Sequence, residues 1–332
     1  MASGTYGIQS KDDISILAHP SELSAEPLSL RRILLCTDFS RLSEVAGTIA
    51  VDLCKQTGAR LIVFHVCEYG AYRPPTETEV AYVNRLHEEE ELGIEAIVSR
   101  IRSQGIAVES TTETGHPPLT IVDFIASHEI DLAILGTHGD LGFERMMFGS
   151  TAEYVFRNAS CPVLVAGPRV ARRKEGDSSG PVVFATDFHD PAKQAAGYAV
   201  TMANLTASPI HCVHVLPLSR ERDGDEVLVS IMTEALHQLT DSAKASGTKT
   251  EYNVLYDSEV SHAVVDYAKE HHARLLVLGV RSGHKFASHL PPHLTYRMII
   301  TAPCPVLTVS LLAVRSAVKR RLIKEGDRLG NN

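Results

Sequence analysis

The stretch Leu132-Ala-Ile-Leu-Gly-Thr-His-Gly139, followed after nine further residues by Gly149-Ser150, decides the fold of this chain. Its first four residues are apolar and predict a buried strand, and residues 151–158 carry the pattern of a helix. The spacing G-x2-G-x9-G-S lets backbone amides approach an anion closely, and the following helix start adds N–H groups and a favourable dipole end. The stretch therefore predicts a strand, a phosphate-binding loop and a helix.

The same unit occurs twice in the chain. Ile33-Leu-Leu-Cys-Thr-Asp-Phe39 matches Val182-Val-Phe-Ala-Thr-Asp-Phe188 at an offset of 149 residues. Leu132-Ala-Ile-Leu-Gly136 matches Leu275-Leu-Val-Leu-Gly279 at an offset of 143. Three further matches follow the same order, at residues 63–66, 121–124 and 161–164 of the first copy. Self-similarity of this kind indicates a tandem duplication.

Strand and helix patterns alternate within each copy. In the first copy, apolar runs predict strands at residues 32–37, 61–66, 106–111, 131–136 and 162–166. Apolar residues recur at helical spacing from Leu42 to Leu53 and again from Leu119 to Ala126. This alternation predicts an α/β fold of two tandem domains, each a five-stranded parallel open sheet with helices on both faces.

Asp38, Val66 and Gly136 each stand at the carboxyl end of a predicted strand. Ligands of open parallel sheets bind outside these strand ends, at the point where the strand order reverses. We therefore expect the three residues to line one crevice.

The chain divides into five segments. We expect a leader at residues 1–30, a first domain with the glycine motif at 31–167, a linker at 168–180, a second domain with a degenerate motif at 181–310, and a basic tail at 311–332. The linker is rich in Gly, Pro and Ser. For the tail we favour a solvated helix that packs weakly on the domain, with membrane-surface or partner binding as the alternative.

Composition and charge exclude several classes of function. The 332 residues carry a net charge of −8, with an isoelectric point near 6.0, which argues against nucleic acid as a partner. No apolar run approaches the roughly 20 residues of a membrane helix. Lys11-Asp-Asp13 stands where a secretory signal would be apolar, and the six cysteines form no C-x-x-C pair. These features predict a cytoplasmic protein with reduced thiols and no membrane partner.

Because its motifs occur in this order and in two copies, the chain resembles the universal stress protein family in its tandem two-domain form. The resemblance extends from Arg31 to Ser310. It rests on Thr37-Asp38 and His65-Val66 at two strand ends, the glycine spacing at 136–150, and Cys161-Pro-Val-Leu-Val165 as the last strand. It implies an adenine nucleotide alpha hydrolase-like fold, bound ATP with a divalent cation such as Mg²⁺ or Mn²⁺, and pairing through the last strand.

The resemblance also implies a role for individual residues. Asp38, with Thr37 beside it, would contact the adenosine, and Val66 would bond adenine through its backbone. The phosphates would be held by residues of the glycine motif, namely Gly136, Gly139, Gly149, Ser150 and Thr151, with His138 as a further candidate. Backbone groups suit an adenine edge, a carboxylate suits a ribose hydroxyl, and amides at a helix start suit phosphate.

Ordinary helix capping explains part of this set. Ser150 followed by Glu153 fits a capping box, and Asp38 could cap the first helix. Capping does not account for three glycines, so we interpret the motif of the first copy as a phosphate site.

The second copy has lost most of the motif. Ser282, Pro292 and His293 replace two glycines and the serine of the first copy. Proline removes an amide donor where the phosphate site needs one. We therefore expect the second domain not to bind ATP, and Asp187 to act as a helix cap. The histidines near this loop match no strong zinc spacing, and we assign no metal ligands.

The sequence contains no dedicated machinery for hydrolysis, since it has no Walker A motif and no base near Gly149. We expect a regulatory ATP-binding protein with an unidentified protein partner, and not an enzyme beyond weak ATP hydrolysis. The second domain would complete a pseudo-dimer within the chain, and a homodimer of two chains stays open. A nucleotide-free scaffold or partner-binding module is the alternative. A related hydrolase or ligase would need a substrate domain, for which no segment remains.

Overall fold

The computed structural model describes residues 30–68, 77–137, 150–170, 180–216, 225–241, 246–280, 293–313 and 316. The first copy contains β1 (Arg32–Cys36), α1 (Arg41–Thr57), β2 (Arg60–Cys67), α2 (Glu77–Arg102), β3 (Val108–Thr114), α3 (Pro117–Ser127), β4 (Leu132–Gly136), α4 (Ser150–Asn158) and β5 (Val163–Ala166). The second copy contains β6 (Val182–Ala185), α5 (Asp190–Leu205), β7 (Ile210–Leu216), α6 (Asp225–Leu239), β8 (Thr250–Tyr256), α7 (Val260–Glu270), β9 (Leu275–Val280), α8 (His293–Thr301) and β10 (Val306–Ser310).

The predicted α/β alternation is confirmed in both copies. The third strand is the exception in its bounds, because β3 runs from Val108 to Thr114 and not over residues 106–111. Ile106 is buried but precedes the strand. Strand β3 lies at the edge of the sheet, and all its residues are exposed or half-buried. It therefore has no apolar run from which the sequence could predict where it ends. Most of the predicted leader, linker and tail lies outside the described residues.

The ten strands of the described ranges form one sheet in the order β3-β2-β1-β4-β5-β10-β9-β6-β7-β8. Neighbouring strands within each half are parallel, and β5 pairs antiparallel with β10 at the centre. Each half therefore has the order of a doubly wound sheet, which reverses beside its first strand.

Helix α1 has clear start and stop signals. Ser40 is its N-cap and accepts a hydrogen bond from the Ser43 N–H through Oγ at 3.3 Å. Gly58 ends it in the left-handed conformation, with φ of 70°, and donates to the Cys54 carbonyl. The predicted apolar face is confirmed in part, because Ala46, Ala50 and Leu53 are buried. Leu42, Val45 and Ile49 are half-buried, so the face that packs on the sheet is rotated away from them.

Two apolar cores cover the sheet, one on each face. Alternate side chains of β1 belong to opposite cores, since Ile33 and Leu35 lie in one core and Leu34 lies in the other. Each core extends across both copies, as Phe184 lies in the first and Val306 in the second. No helix in the described part of the chain is long and apolar enough to cross a membrane.

Side chains of β10 reinforce the junction of the two copies. Thr308 donates through Oγ1 to the Val163 carbonyl at 3.0 Å, and Ser310 donates through Oγ to the Ala159 carbonyl at 3.0 Å. Both hydrogen bonds are buried. A buried carbonyl that loses its donor is destabilising, so these bonds favour one arrangement of the two copies.

We expect Thr308→Val to lower the free energy of unfolding by about 1–2 kcal/mol, because it keeps the side-chain shape and removes the donor to Val163. Urea unfolding followed by far-ultraviolet circular dichroism measures the change. Thr48→Val on the exposed surface of α1 is the control and should stay within about 0.5 kcal/mol of wild type. Equal midpoints for Thr308→Val and wild type would contradict this role of the junction.

Candidate functional site

The ends of three adjacent strands meet at one edge of the sheet. The ladder pairs Cys36 with Phe64 and Leu35 with Ile134. If this register is continued by two residues beyond the last pairs, Asp38 comes level with Val66 and Thr37 with Gly136. The predicted adenosine residues therefore lie beside the start of the predicted phosphate loop, at the point where the strand order reverses.

The loop between β1 and α1 is held by its own side chains. Thr37 accepts a hydrogen bond from the Phe39 N–H at 3.1 Å, and Asp38 accepts one from the Ser40 N–H at 3.0 Å. These bonds hold Phe39 at φ of 62°, a left-handed conformation that is strained for a bulky residue. The interpretation of Asp38 as a helix cap is wrong, because Ser40 is the cap and Asp38 forms an Asx turn before it. Its exposed carboxylate therefore sits on a stiff loop.

The second copy builds the same loop without the glycine motif. Thr186 accepts from the Phe188 N–H at 2.9 Å, Asp187 accepts from the His189 N–H at 3.1 Å, and Phe188 again has φ of 62°. The prediction that Asp187 caps a helix is wrong as well, because the N-cap of α5 is His189. The conformation of this loop is a property of the fold and does not depend on the glycine motif.

The backbone of Val66 is turned to the side of β2 on which β1 has ended, where we expect the crevice. In a parallel ladder, the N–H and C=O of one residue point to the same neighbour, and the direction alternates from residue to residue. The Phe64 carbonyl accepts from the Thr37 N–H, so it points towards β1. Val66, two residues later, turns its N–H and C=O to the same side, beyond the last pair of the β1–β2 ladder. This strand edge has the donor and acceptor that an adenine ring requires.

Gly136 has a packing role that the sequence pattern did not reveal. A Cβ at this position would lie 2.7 Å from the Leu42 backbone carbon and 2.9 Å from the Ser43 nitrogen. The first turn of α1 therefore rests directly on the end of β4, and only glycine permits this contact. Glycine is required here whether or not phosphate binds.

The flanks of the glycine motif are described, and its centre is not. Ser150 is exposed at the start of α4, and Thr151 is half-buried. Glu153, the other residue of the predicted capping box, accepts from the Arg157 guanidinium at 3.0 Å. His138, Gly139 and Gly149 lie outside the described residues, so their assignment to the phosphates stays a prediction.

A histidine links each strand end to the loop beside it. His65 donates through Nδ1 to the Thr37 carbonyl at 2.8 Å, and its ring lies 4.7 Å from that of Phe39. His214 repeats this arrangement with the Thr186 carbonyl at 2.9 Å and the Phe188 ring at 4.6 Å. Both histidines are thus hydrogen-bonded within the fold. Burial lowers the pKa of His214.

Comparisons with known proteins agree with this architecture. The model of the universal stress protein family matches residues 29–167 and 179–310. A universal stress protein of Methanocaldococcus jannaschii is 30% identical over 137 residues, which are 41% of this chain and 81% of that protein.

Two solved structures from Archaeoglobus fulgidus are also similar to this chain. One is a universal stress protein that aligns with 84% of this chain and 98% of its own, at 20% identity and a TM-score of 0.64. The other is a universal stress protein in complex with dAMP, which aligns with 40% of this chain and 98% of its own, at 24% identity and a TM-score of 0.32.

We expect Gly136→Ala to destabilise the protein by about 1–3 kcal/mol, because the new Cβ forces α1 away from the end of β4. Gly197→Ala in α5 is the matched control, since a Cβ there meets nothing within 4 Å. It should raise stability by about 0.5–1 kcal/mol through helix propensity. Urea unfolding of both variants measures the difference. A Gly136→Ala protein as stable as wild type would show that the contact with α1 is not tight.

Stability should fall as the pH drops below about 6.5, because the unfolded chain then binds a proton at His214 that the folded chain resists. We expect His214→Gln to make this fall shallower. His262 affects stability in the opposite direction, because Asp257 and Asp266 raise its pKa. Protonated His262 therefore stabilises the folded chain at low pH, and this stabilisation disappears as the pH rises. His262→Gln should therefore make the fall steeper. Thermal unfolding between about pH 5 and 8 measures both, and a His214→Gln curve parallel to wild type would contradict the assignment.

Proposed function

The chain belongs to the universal stress protein family, and from this premise we propose that it is a regulatory ATP-binding protein that holds one nucleotide in its first domain. The observation that carries the proposal is the edge of β2 at Val66. Its backbone donor and acceptor turn towards the crevice where β1 has ended. These backbone groups lie at the point where the strand order reverses, which is where open parallel sheets bind their ligands.

The neighbouring carboxylate supports the adenosine half of the site. Asp38 is exposed, level with Val66, and held by a stiff loop. A carboxylate in this position can accept hydrogen bonds from ribose hydroxyls without losing its own loop contact, because it has a second oxygen. The residues that are described thus fit an adenine nucleoside.

The start of α4 supports the phosphate half. Ser150 is exposed at its first residue, and the first turn of a helix carries N–H groups without intrahelical partners. The glycine spacing before it would let the loop backbone reach the same phosphates. A bound Mg²⁺ or Mn²⁺ would neutralise phosphate charge, with phosphate oxygens among its ligands.

The second domain would act as the pairing partner of the first. The antiparallel β5–β10 ladder and the two buried hydrogen bonds across it support an intramolecular pseudo-dimer. The replacement of the motif by Ser282, Pro292 and His293 supports a single nucleotide per chain. In this proposal the protein works in the cytoplasm, hydrolyses ATP weakly if at all, and signals its nucleotide state to a protein partner.

A scaffold that acts without nucleotide is the second candidate. It is favoured by exposed apolar side chains on the equivalent helices α2 and α6, namely Tyr82, Leu92, Val227 and Ile231. Apolar side chains on exposed helix faces are common at protein interfaces.

Calorimetric titration of ATP with Mg²⁺ into nucleotide-free protein tests the proposal. We expect one site per chain, which Asp38→Ala weakens about 10- to 100-fold by removing a charged hydrogen-bond acceptor. Asp187→Ala is the matched control, because it removes the same Asx-turn bond from the second copy. It should leave the affinity within about twofold of wild type. Gly149→Pro, which introduces the residue of the second copy, should abolish binding.

Two results would overturn the proposal. If wild type bound no nucleotide, either in calorimetry or with a fluorescent ATP analogue, the nucleotide-free scaffold would be the remaining candidate function. Equal losses in Asp38→Ala and Asp187→Ala, or two sites per chain, would contradict the assignment to the first domain.

A further inference from the structure

A histidine, a cysteine and a glutamate come together where the end of β2 meets α2. The ligand atoms of His65, Cys67 and Glu90 all lie within 4.8 Å of one another. We infer that these three side chains form a zinc site. It is distinct from the nucleotide site, which uses the backbone of Val66 and the crevice beside β1.

His65 is already oriented as a metal ligand. Its Nδ1 donates to the Thr37 carbonyl at 2.8 Å, so in the neutral imidazole the lone pair lies on Nε2. A backbone carbonyl on the second nitrogen is the usual support of a metal-bound histidine. Nε2 is buried and has no hydrogen-bond partner among the described residues, and the side chain is only 9% exposed. A buried ring nitrogen calls for a partner, and a metal ion bound between His65 and Glu90 would supply one.

The distance between His65 and Glu90 fits a shared metal better than an ion pair. Nε2 lies 3.5 Å from the nearer carboxylate oxygen of Glu90. A charge-assisted hydrogen bond would bring these atoms to about 2.7–2.9 Å. Two ligands at tetrahedral positions around Zn²⁺ would stand about 3.4 Å apart, given bond lengths of about 2.1 Å. The observed separation is close to the second value.

Cys67 completes the set from the same strand. It lies two residues after His65, so both side chains point to the same face of β2, and it is fully buried. Zinc would bind the thiolate and release its proton. A nitrogen, a sulfur and an oxygen ligand favour Zn²⁺ over Mg²⁺ or Ca²⁺, which prefer oxygen alone.

The site lies next to the protein surface at Glu90 and has a position for a fourth ligand. Glu90 is on α2, and 23% of its side chain is exposed, so this ligand of the site reaches the surface. Three protein ligands leave one tetrahedral position for water or for another small ligand.

The second copy supplies an internal comparison. His214 makes the same bond to a backbone carbonyl as His65 does. Leu216 stands where the first copy has Cys67, at the offset of 149 residues that aligns the two histidines. We therefore assign one zinc site to each chain, in the first domain.

Titration of the metal-free full chain with Co²⁺ and Zn²⁺, in the absence of nucleotide, tests the inference. We expect one tight Co²⁺ per chain, with the near-ultraviolet charge-transfer band of a thiolate ligand, and its displacement by Zn²⁺. Cys67→Ser should remove that band, and Cys67→Ser and Glu90→Gln should each weaken Zn²⁺ binding at least about tenfold. Glu90→Gln keeps the side-chain shape at a partly exposed position, so it tests the site even if Cys67→Ser does not fold.

His65→Gln is a further test of the site, and His214→Gln is its matched control. Both remove a histidine that is bonded to a carbonyl, and only His65→Gln should lower the metal affinity. Metal binding without a thiolate band, no tight binding at all, or unchanged Zn²⁺ affinity in Glu90→Gln would each overturn the inference. Because the measurement uses no nucleotide, its outcome is independent of whether the chain binds ATP.

Discussion

The hydrogen bonding of β1 to β2 on one side and to β4 on the other is the constraint on which both candidate sites depend. The register of these two ladders brings the ends of three strands to one level, and its continuation beyond the last pairs places Asp38 level with Val66 and Thr37 level with Gly136. It also places the Thr37 carbonyl where His65 can donate to it. A shift of one residue in either ladder would turn these groups to the opposite face of the sheet.

The two copies share the framework of the candidate site and differ in the residues proposed to bind ligands. The strained loop after the first strand and the histidine bonded to it occur in both copies with nearly the same distances. The glycine motif and Cys67 occur only in the first copy, where the second has Pro292 and Leu216. The framework is held by bonds within the protein, so it is also present in the copy without the glycine motif and Cys67.

The central β5–β10 pair makes the two unequal copies into one body. It is the antiparallel step in a sheet that is otherwise parallel, and each apolar core continues across it. The second copy thereby covers the edge that β5 would otherwise expose to solvent or to another chain. This stabilising role gives a physical reason for retaining a copy whose glycine motif has been replaced.

The sequence by itself determined the duplication, the α/β class and the strand ends that carry Asp38, Val66 and Gly136, because apolar periodicity is local and survives in each copy. It could not determine that Ser40 is the cap of α1, since neighbouring polar residues compete for that role. It could not show that Gly136 supports α1, or that Glu90 reaches His65 and Cys67. These contacts join residues far apart in the chain, and only the strand register and the rotation of the packed helices decide them.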